Sequence, residues 1–347
     1  MLIYKPRKVL GIPIDNSATS YHRVIQPLHT LMQEGLNIQF LGEQEKQLDQ
    51  YKWADILYIQ CLYAPDAYNF YFEQKKQGKH IIIDFDDDYI NIPEDSPEQT
   101  EIVDSKTGEV HRFPTQLRTL YVKMFVGLAD VVVVTTETLK KLYGPVAKKI
   151  VVIPNCMSQD MKRDIPKKPN EKVRILWSGS ASHKPDLLEA NEKGYLQKIH
   201  EKYGDKVEFH FQGPLNFSEI FPTLPLISHP TAEFAEYLNV IQAINPDIAI
   251  APLKNNVFNH AKSNIKYSQM TLMEAAFVGE NLNPYVAIDN GHDGFLADGV
   301  NSWVKALSKL IESPELRQKI VANATKYVES HFMIEKQISK WRELISF

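Results

Sequence analysis

The composition of residues 247–267 changes twice along the stretch, which reads Asp-Ile-Ala-Ile-Ala-Pro-Leu-Lys-Asn-Asn-Val-Phe-Asn-His-Ala-Lys-Ser-Asn-Ile-Lys-Tyr. Its short apolar run, closed by Pro252, is typical of a buried strand in a covered sheet. A polar, basic segment follows, and a helix is expected to begin near Ser263. A strand whose carboxyl end opens into such a loop and a helix N-terminus is where open α/β sheets bind anionic ligands. The stretch therefore predicts an anion site at one edge of a parallel sheet.

Two lysines make this segment suitable for a phosphate group. Lys262 and Lys266 are four residues apart, so they share one helical face or the approach to it. Their ammonium groups would add point charge to a helix end that already carries free N–H groups. The alternative is a solvated basic turn, as most surface lysine pairs are.

The same alternation of strands and helices extends on both sides of this stretch. Before residue 160, strands are expected at 9–14, 37–41, 54–61, 80–88, 130–135 and 149–154, and helices at 21–35, 68–77, 117–129 and 136–143. After a polar, basic segment at 161–172, strands are expected at 173–177, 207–212 and 247–251, and helices at 186–203, 231–244, 263–275 and 301–312. This order predicts an α/β protein with two doubly wound parallel domains. Residues 91–114 are expected to form a long loop, which in a compact domain is usually functional or mobile.

Length and composition narrow the class of protein. A chain of 347 residues with 44% apolar and 24% charged residues is an ordinary globular sequence, long enough for two domains. The net charge of −4 argues against broad sequence-independent DNA binding. Cys61 and Cys156 lie far apart in apolar strands, which argues against a disulfide framework or a zinc site. With no signal peptide and no apolar run near the ~20 residues of a membrane span, we expect a soluble, cytoplasmic protein.

A second candidate site follows the first strand of the second domain. Gly179, between Ser178 and Ser180, would let backbone N–H groups approach a phosphate or sugar closely. His183 and Lys184 follow within the same turn, and Lys184 could reach the same cleft. The alternative is an ordinary strand-to-helix turn capped by Ser182 or Asp186.

Four carboxylates end the fourth strand of the first domain. Asp86, Asp87 and Asp88, together with Asp84, could bind hydroxyl groups of a substrate, tune a general base or hold a cation. By alternation, Asp84, Asp86 and Asp88 would share one direction for as long as the chain stays extended. Their spacing matches no metal-binding loop, so no metal site is expected. The alternative is a turn or helix cap with solvated acids.

Two further groups are expected near the same cleft. Tyr21, His22 and Arg23 begin a helix after the first loop, where Arg23 could contact an anion and His22 could act as an acid or base. A lone histidine at a helix start is more often structural. Asn283 and Tyr285 could line a sugar pocket, or belong to a simple turn.

Several motifs, in this order and spacing, resemble the glycosyltransferase group 1 family, the retaining nucleotide-sugar glycosyltransferases of GT-B fold. The resemblance covers about 145–330. Its pieces are Ile153-Pro154-Asn155, Trp177-Ser-Gly-Ser180 with His183-Lys184 and Asp186, Asp247–Leu253, Phe258-Asn259 with Ala261-Lys262-Ser263 and Lys266, and Gly291-His-Asp-Gly294. It is weaker over 1–145, where Tyr21-His22-Arg23 and the Asp-rich turn are similar to a branch found in bacterial and phage genomes.

The resemblance implies a role for each part of the chain. Residues 1–160 would be the acceptor-side domain, 161–172 the linker, 173–330 the nucleotide-sugar domain, and 331–347 a helix that packs back across the domains. The donor would be a nucleoside diphosphate sugar, with UDP-sugar favoured, and neither a metal ion nor a tightly bound cofactor would be needed. The acceptor would be a glycan or a hydroxymethylated base of phage DNA, the latter suggested by Lys162-Arg163 and Lys167-Lys168 in the linker. The oligomeric state is left open.

The chain departs from the family at one position. Many relatives carry two glutamates eight positions apart, and the second usually contacts the nucleotide ribose. A gapless alignment places Gln269 at that second position, whereas an alternative alignment places Glu274 there. The gapless alignment is slightly favoured because it preserves the distance to Gly291 and Gly294. A non-catalytic relative that binds a glycan or a partner protein is therefore an alternative hypothesis, and a sugar-nucleotide epimerase is a third.

Overall fold

Two parallel sheets organise the protein, for which the computed structural model describes residues 7–94, 96, 101–103, 110–112 and 114–346. Within these ranges the first sheet is built from strands β1 (Val9–Ile12), β2 (Ile38–Phe40), β3 (Ile56–Gln60), β4 (His80–Phe85), β7 (Val131–Val134) and β8 (Ile150–Val152). Two short antiparallel strands, β5 (Glu101–Val103) and β6 (Val110–Arg112), lie between β4 and β7 in the chain. The spatial order of the first sheet is β2-β1-β3-β4-β7-β8, with parallel pairing throughout.

The second sheet repeats this plan. Its six strands in the described ranges are β9 (Val173–Ser178), β10 (Val207–Gln212), β11 (Leu226–His229), β12 (Ile248–Ala251), β13 (Ala276–Glu280) and β14 (Phe295–Ala297). They are arranged β11-β10-β9-β12-β13-β14, again with parallel pairing. Two doubly wound α/β domains are therefore confirmed.

Helices cover both faces of each sheet. In the first half they are α1 (Ala18–Ser20), a π-helical turn (Tyr21–Ile25), α2 (Gln26–Gln33), α3 (Gln44–Trp53), α4 (Pro65–Lys76), α5 (Thr115–Leu128) and α6 (Glu137–Tyr143). In the second half they are α7 (Lys184–Lys193), α8 (Tyr195–Tyr203), α9 (Phe217–Ile220), α10 (Phe234–Ile244), α11 (Val257–Ala261), α12 (Ile265–Leu272), α13 (Gly299–Glu312), α14 (Pro314–His331) and α15 (Ile334–Ile345).

The central strands contribute side chains to a separate core on each face of their sheet. In β3, Ile56 and Tyr58 pack into one core of the first domain, while Leu57 and Ile59 pack into the other. All four side chains are at most 2% exposed. This two-sided burial is why the strands read as continuous apolar runs rather than as alternating ones.

Several expectations about individual elements were wrong. The single helix expected over 186–203 is two helices, because Gly194 adopts a left-handed conformation with φ of +69°. The loop expected over 91–114 contains the β5–β6 hairpin, although much of that segment lies outside the described residues. Helix α3 was not expected, because Tyr51 is its one buried residue and it shows no apolar stripe.

The chain passes twice between the domains at one place. The backbone N–H of Met157 donates to the carbonyl of Phe332 (2.7 Å), and that of Ile334 donates to the carbonyl of Met157 (2.8 Å). Beyond the second crossing, α15 packs on α2 of the first domain, where Arg342 forms an ion pair with Glu34. The first domain is thus completed by the last residues of the chain.

Trp341 joins α15 to a buried polar network under the first sheet. Its indole N–H donates to the Tyr58 hydroxyl (2.9 Å), which donates to Asp84 (2.6 Å). Asp84 also forms a two-point ion pair with Arg23 (2.8 and 3.0 Å), and Trp341, Tyr58, Asp84 and Arg23 are all fully buried. Arg23 also donates to the Ile153 carbonyl (2.8 Å) and to Asn155 (3.2 Å). Because its buried polar groups are paired in this way, the network stabilises the packing of α15.

In the part of the chain that the structure describes, no helix combines the length and the apolar character needed to cross a lipid bilayer.

Candidate active site

A cleft of about 890 Å³ separates the carboxyl edges of the two sheets. The loops after β1 and β4 supply one wall, and the loops after β9, β10 and β12 supply most of the other. Of the residues predicted from the sequence, the cleft brings together His22, Asp86, Asp87, Ser178, Gly179, Ser180, His183, Lys262, Ser263, Lys266, Gln269 and Tyr285.

The loop 261–263 is held against the first domain by three consecutive residues. Thr136, the N-cap of α6, donates to the Ala261 carbonyl (3.0 Å), and Asn155 donates to the Ser263 hydroxyl (2.9 Å). Between them, Lys262 Nζ lies 2.8 Å from Asp87 Oδ2 and 4.3 Å from the centre of the Phe258 ring. The loop therefore places an ammonium group where the two domains face each other.

Lys266 lies deeper in the second domain, in the first turn of α12. Its Nζ is 5.0 Å from the centre of the Trp177 ring. Desolvation, opposed by the charge of Asp186 and assisted by that of Lys262, lowers the pKa of Lys266 to about 7. A group with this pKa gains a stabilised positive charge once an anion binds beside it.

Position 179 requires glycine, because three neighbouring side chains lie close to its backbone. A Cβ atom at this position would lie 2.7 Å from Lys266 Nζ, 2.9 Å from Trp177 Cζ2 and 3.1 Å from His183 Cδ2. The backbone of the 178–180 turn can therefore lie against the ammonium group only without a side chain.

His183 and Asp186 connect this turn to the loop after β12. His183 Nδ1 lies 2.6 Å from Asp186 Oδ2, while Asp186 Oδ1 accepts from the Lys254 backbone N–H (2.8 Å) and from Asn259 Nδ2 (2.7 Å). Burial lowers the pKa of His183 to about 4, so its imidazole is neutral at pH 7. Asp186 thus fixes the relative positions of the two candidate phosphate-binding stretches.

Asp86 is the acidic group of the opposite wall. It accepts hydrogen bonds from the hydroxyl groups of Thr19 (3.1 Å) and Tyr89 (2.7 Å). Burial and the neighbouring charge of Asp87 raise the pKa of Asp86 to about 6, against the opposing hydrogen bond from Tyr89. A carboxylate with a raised pKa at a cleft wall can accept a proton or a hydrogen bond from a substrate hydroxyl.

The other two carboxylates point elsewhere, so the expected alternation is wrong. Strand β4 ends at Phe85, and Asp84 is held in the buried network with Arg23. Asp88 accepts from the backbone N–H groups of Ile90 and Asn91 (both 2.9 Å) and caps a turn. Because the chain leaves the extended conformation after Phe85, a period of two no longer sets the direction of these side chains.

His22 and Gln269 meet across the domains at the floor of the cleft. His22 Nδ1 lies 2.9 Å from the carbonyl oxygen of Cys156, and its Nε2 lies 3.4 Å from Gln269 Nε2. Burial lowers the pKa of His22 to about 4. The ring is therefore neutral, with its proton on Nδ1 and a lone pair on Nε2 that faces the amide.

Six predicted residues lie outside the cleft lining. Arg23 and Asp88 are engaged as described above, and Tyr21 packs on Phe234 with ring centres 4.7 Å apart. Lys184 and Asn283 are exposed. Glu274 is an exposed residue of the turn after α12, with φ of +57°, and its carbonyl accepts from Lys167. Of the two competing positions, the structure brings Gln269 and not Glu274 into the cleft.

Comparison with solved structures identifies the arrangement of the two domains. Sucrose-phosphate synthase from Thermosynechococcus elongatus matches with a TM-score of 0.69 and 10% identity, covering 97% of this chain and 98% of that one. HepE from Anabaena, crystallised with UDP and glucose, matches with a TM-score of 0.65 and 11% identity over 98% and 99%. The chain has the GT-B fold.

Other proteins of GT-B fold are considerably longer than this chain. TarM of S. aureus matches with a TM-score of 0.60 and 11% identity over 84% of this chain and 54% of its own, so this chain spans about half its length. No family model and no curated protein sequence matches the chain. At these identities the likeness shows the fold alone.

The GT-B cleft also contains residues that the sequence did not single out. On the first domain, Thr19 and Tyr89 donate to Asp86, and Tyr63 packs on Tyr89. On the second domain, Tyr237 and Gln212 contact Ser178. The small polar loop at 15–20 was a visible signal for Thr19, because it directly follows a buried strand. The three tyrosines gave no such signal, because tyrosines beside apolar runs are also expected at core positions.

In the described ranges of the chain, no three His, Cys, Asp or Glu side chains are grouped as a metal ion would require.

Proposed function

We propose that the protein is a glycosyltransferase that moves a sugar from a nucleoside diphosphate sugar, with UDP-sugar favoured, to an acceptor hydroxyl group. One observation carries the proposal: Lys262, Lys266 and the Gly179 turn converge on the side of the GT-B cleft opposite Asp86. Cationic groups on one wall and a carboxylate on the other suit a reaction in which a diphosphate leaves and a hydroxyl group attacks.

The donor would bind on the second domain. Lys262 and Lys266 would contact the diphosphate and stabilise the negative charge that develops as it leaves, so that lysine ammonium groups supply the charge without a metal ion. Gly179, between Ser178 and Ser180, would let the backbone approach the same group. HepE was crystallised with UDP and glucose, and the pneumococcal O-GlcNAc transferase GtfA with UDP and GlcNAc, which supports a UDP-sugar as donor.

The acceptor would bind on the first domain, beside Asp86. Thr19 and Tyr89 hold this carboxylate in place, and its raised pKa suits contact with a sugar hydroxyl. We infer retention of anomeric configuration, as the family resemblance implies. Catalysis would come from positioning the two substrates and from stabilising the leaving group rather than from a strong base.

A glycan acceptor has more support than a hydroxymethylated DNA base. The basic segment that suggested DNA is largely engaged within the protein: Lys162 pairs with Glu329, Arg163 donates to Asn245, and Lys167 donates to the Pro246 carbonyl. Basic side chains that are already engaged within the protein are less available to bind DNA phosphates.

Binding of nucleotides by calorimetry tests the proposal directly. A panel of nucleoside diphosphates and their sugars should include one that binds, and Lys262→Ala should weaken that binding about tenfold or more, because a charge-assisted contact to phosphate is lost. Lys184→Ala is the matched control, since this lysine is exposed outside the cleft. A chain that binds none of the panel would contradict the proposal and favour the non-catalytic relative.

Turnover then separates the remaining hypotheses. Release of UDP from a UDP-sugar, or transfer to simple sugar acceptors, would distinguish an enzyme from a binding protein, and an NMR spectrum of the product would give its anomeric configuration. An epimerase would instead convert the donor to another nucleotide sugar with no acceptor present.

A further inference from the structure

Lys262 and Asp87 come from opposite walls of the cleft and bind each other. Their Nζ–Oδ2 distance is 2.8 Å, and their side chains are 14% and 19% exposed. Under the proposed function, on which this inference rests, Lys262 is a ligand of the donor diphosphate. The group that would bind the diphosphate is therefore paired in this structure with a carboxylate of the first domain.

The backbone that carries Lys262 does not depend on this ion pair. Thr136 holds the carbonyl of the preceding residue (3.0 Å), and Asn155 holds the hydroxyl of Ser263 (2.9 Å). Ala261 itself packs into a core of the first domain. Loss of the ion pair would leave the loop in place.

The backbone that carries Asp87 is fixed independently as well. Thr135 donates to the Asp86 carbonyl and Tyr143 donates to the Asp87 carbonyl, both at 2.9 Å. The pair can therefore open by rotation of its two side chains, with both loops unchanged.

We propose that the Asp87 carboxylate occupies the phosphate position of the donor site, and that a nucleoside diphosphate displaces it from Lys262 on binding. A diphosphate carries more charge and more acceptor oxygens than a carboxylate, and it also gains Lys266 as a partner, so the exchange favours the ligand. The apparent affinity for the nucleoside diphosphate is therefore reduced, because only the molecules in which the ion pair is open can bind it.

The displaced carboxylate gives Asp87 a second role. Asp87 lines the same cleft as Asp86 and Thr19, so once released it can accept a hydrogen bond from an acceptor hydroxyl group. This contact becomes available only after the donor has bound. Asp87 thus couples the two substrate sites, and the donor is expected to bind before the acceptor.

The test is calorimetric titration with UDP at pH 7.5 of the wild type, Asp87→Asn, Lys262→Ala and the double variant. Asp87→Asn keeps the shape of the side chain and removes the competing charge, so it should tighten UDP binding roughly fivefold or more. In the Lys262→Ala background the same substitution should give no gain, because its target is absent. Asp15→Asn is the matched control: it removes a charge that lines the same cleft and is not paired with Lys262, and should change UDP binding less than about twofold.

Equal or weaker UDP binding by Asp87→Asn, in a protein with wild-type thermal unfolding, would overturn the inference and leave the proposed function standing. A gain of the same size from Asp15→Asn would also overturn it, because the tighter binding would then reflect the overall charge of the cleft and not the ion pair. Absence of nucleotide binding by all the proteins would contradict the proposed function itself. Asp87→Ser provides a second variant if Asp87→Asn does not fold.

Discussion

Lys266 has a pKa of about 7, where an ordinary lysine has about 10.5, because it is desolvated and lies close to Lys262. A bound diphosphate would favour its charged form and raise this pKa. Donor binding should therefore take up a proton above pH 7, where the empty site holds Lys266 largely neutral, and affinity should fall as the pH rises from there. Below pH 7 the group is already charged and contributes no further dependence.

This dependence can be measured by titrating UDP-glucose at pH 8.5 in two buffers with different ionisation enthalpies. The wild type should take up close to one proton, and Lys266→Met should take up none. The pKa values of His183, about 4, and of Asp86, about 6, keep these groups out of this pH range. Wild-type binding without proton uptake would contradict a diphosphate contact by Lys266.

The amide of Gln269 is a suitable hydrogen-bond partner for the neutral imidazole of His22. Because Nδ1 of His22 donates to the Cys156 carbonyl, Nε2 presents a lone pair, and an amide N–H is the group that can approach it. A carboxylate in its place would attract a proton to the ring. Gln269→Glu should therefore raise the pKa of His22 from about 4 by roughly one to three units.

An NMR titration of the His22 ring measures this shift, and His183 serves as an internal reference because it lies in the other wall. If Gln269 had only replaced a glutamate that contacts the nucleotide, Gln269→Glu would improve nucleotide binding. Weaker binding together with a raised pKa would instead show that the amide is suited to its neighbour.

The sequence predicted which segments reach the cleft better than it predicted which of their side chains point into it. Lys262 and Lys266 follow a strand at a helix start, where topology alone brings them to the sheet edge. Arg23 was expected in the cleft, but it lies in a buried ion pair with Asp84. The sequence did not predict this pair, because the two residues are 61 positions apart in the chain. Such a pairing depends on tertiary contacts that spacing does not reveal.

The turn 178–180 is the element most sensitive to substitution. Gly179→Ala would bring a methyl group within 3 Å of Lys266 Nζ and Trp177 Cζ2, so the turn or the lysine must move. Overpacking of this kind typically costs about 1–3 kcal/mol of folding stability, and we expect donor affinity to fall because the turn or the lysine is displaced. Calorimetry with UDP measures this loss.

Gly127→Ala provides the control for that substitution. Gly127 lies in α5, and a Cβ atom there would meet Val146 Cγ1 at an ordinary 3.7 Å. The protein should keep its donor affinity and gain slightly in stability, because alanine favours a helix over glycine. Equal losses in both variants would indicate a general effect of added methyl groups rather than a special turn.

Elements with strong periodicity were predictable, and elements defined by single residues were not. The all-apolar strands of both sheets follow from burial on two faces. The break at Gly194 depends on one left-handed residue inside an otherwise helical pattern. Helix α14 could have been predicted, since its buried residues Ile320, Ala324 and Val328 are spaced four apart.

At the scale of the whole molecule, Trp341 should control the stability of a domain that is distant in sequence. Trp341→Ala would leave a cavity under the first sheet and remove a partner of Tyr58, at a cost of about 3–5 kcal/mol. Chemical denaturation monitored with probes in each domain should show the first domain unfolding earlier. Trp53→Ala, at a partly exposed position, should have a much smaller effect; similar losses would contradict the assignment of Trp341 to the core.

The return of α15 to the first domain also has a consequence for how the protein is made. The ribosome releases residues 1–156 long before the helix that completes their core exists. At a synthesis rate of about 5–20 residues per second, the roughly 190 residues that separate them take about 10–40 s to appear. During that interval the apolar groove that receives Ile338, Trp341 and Leu344 is open to solvent. The nascent first domain is therefore expected to need a chaperone, and a chain that terminates early should aggregate rather than fold.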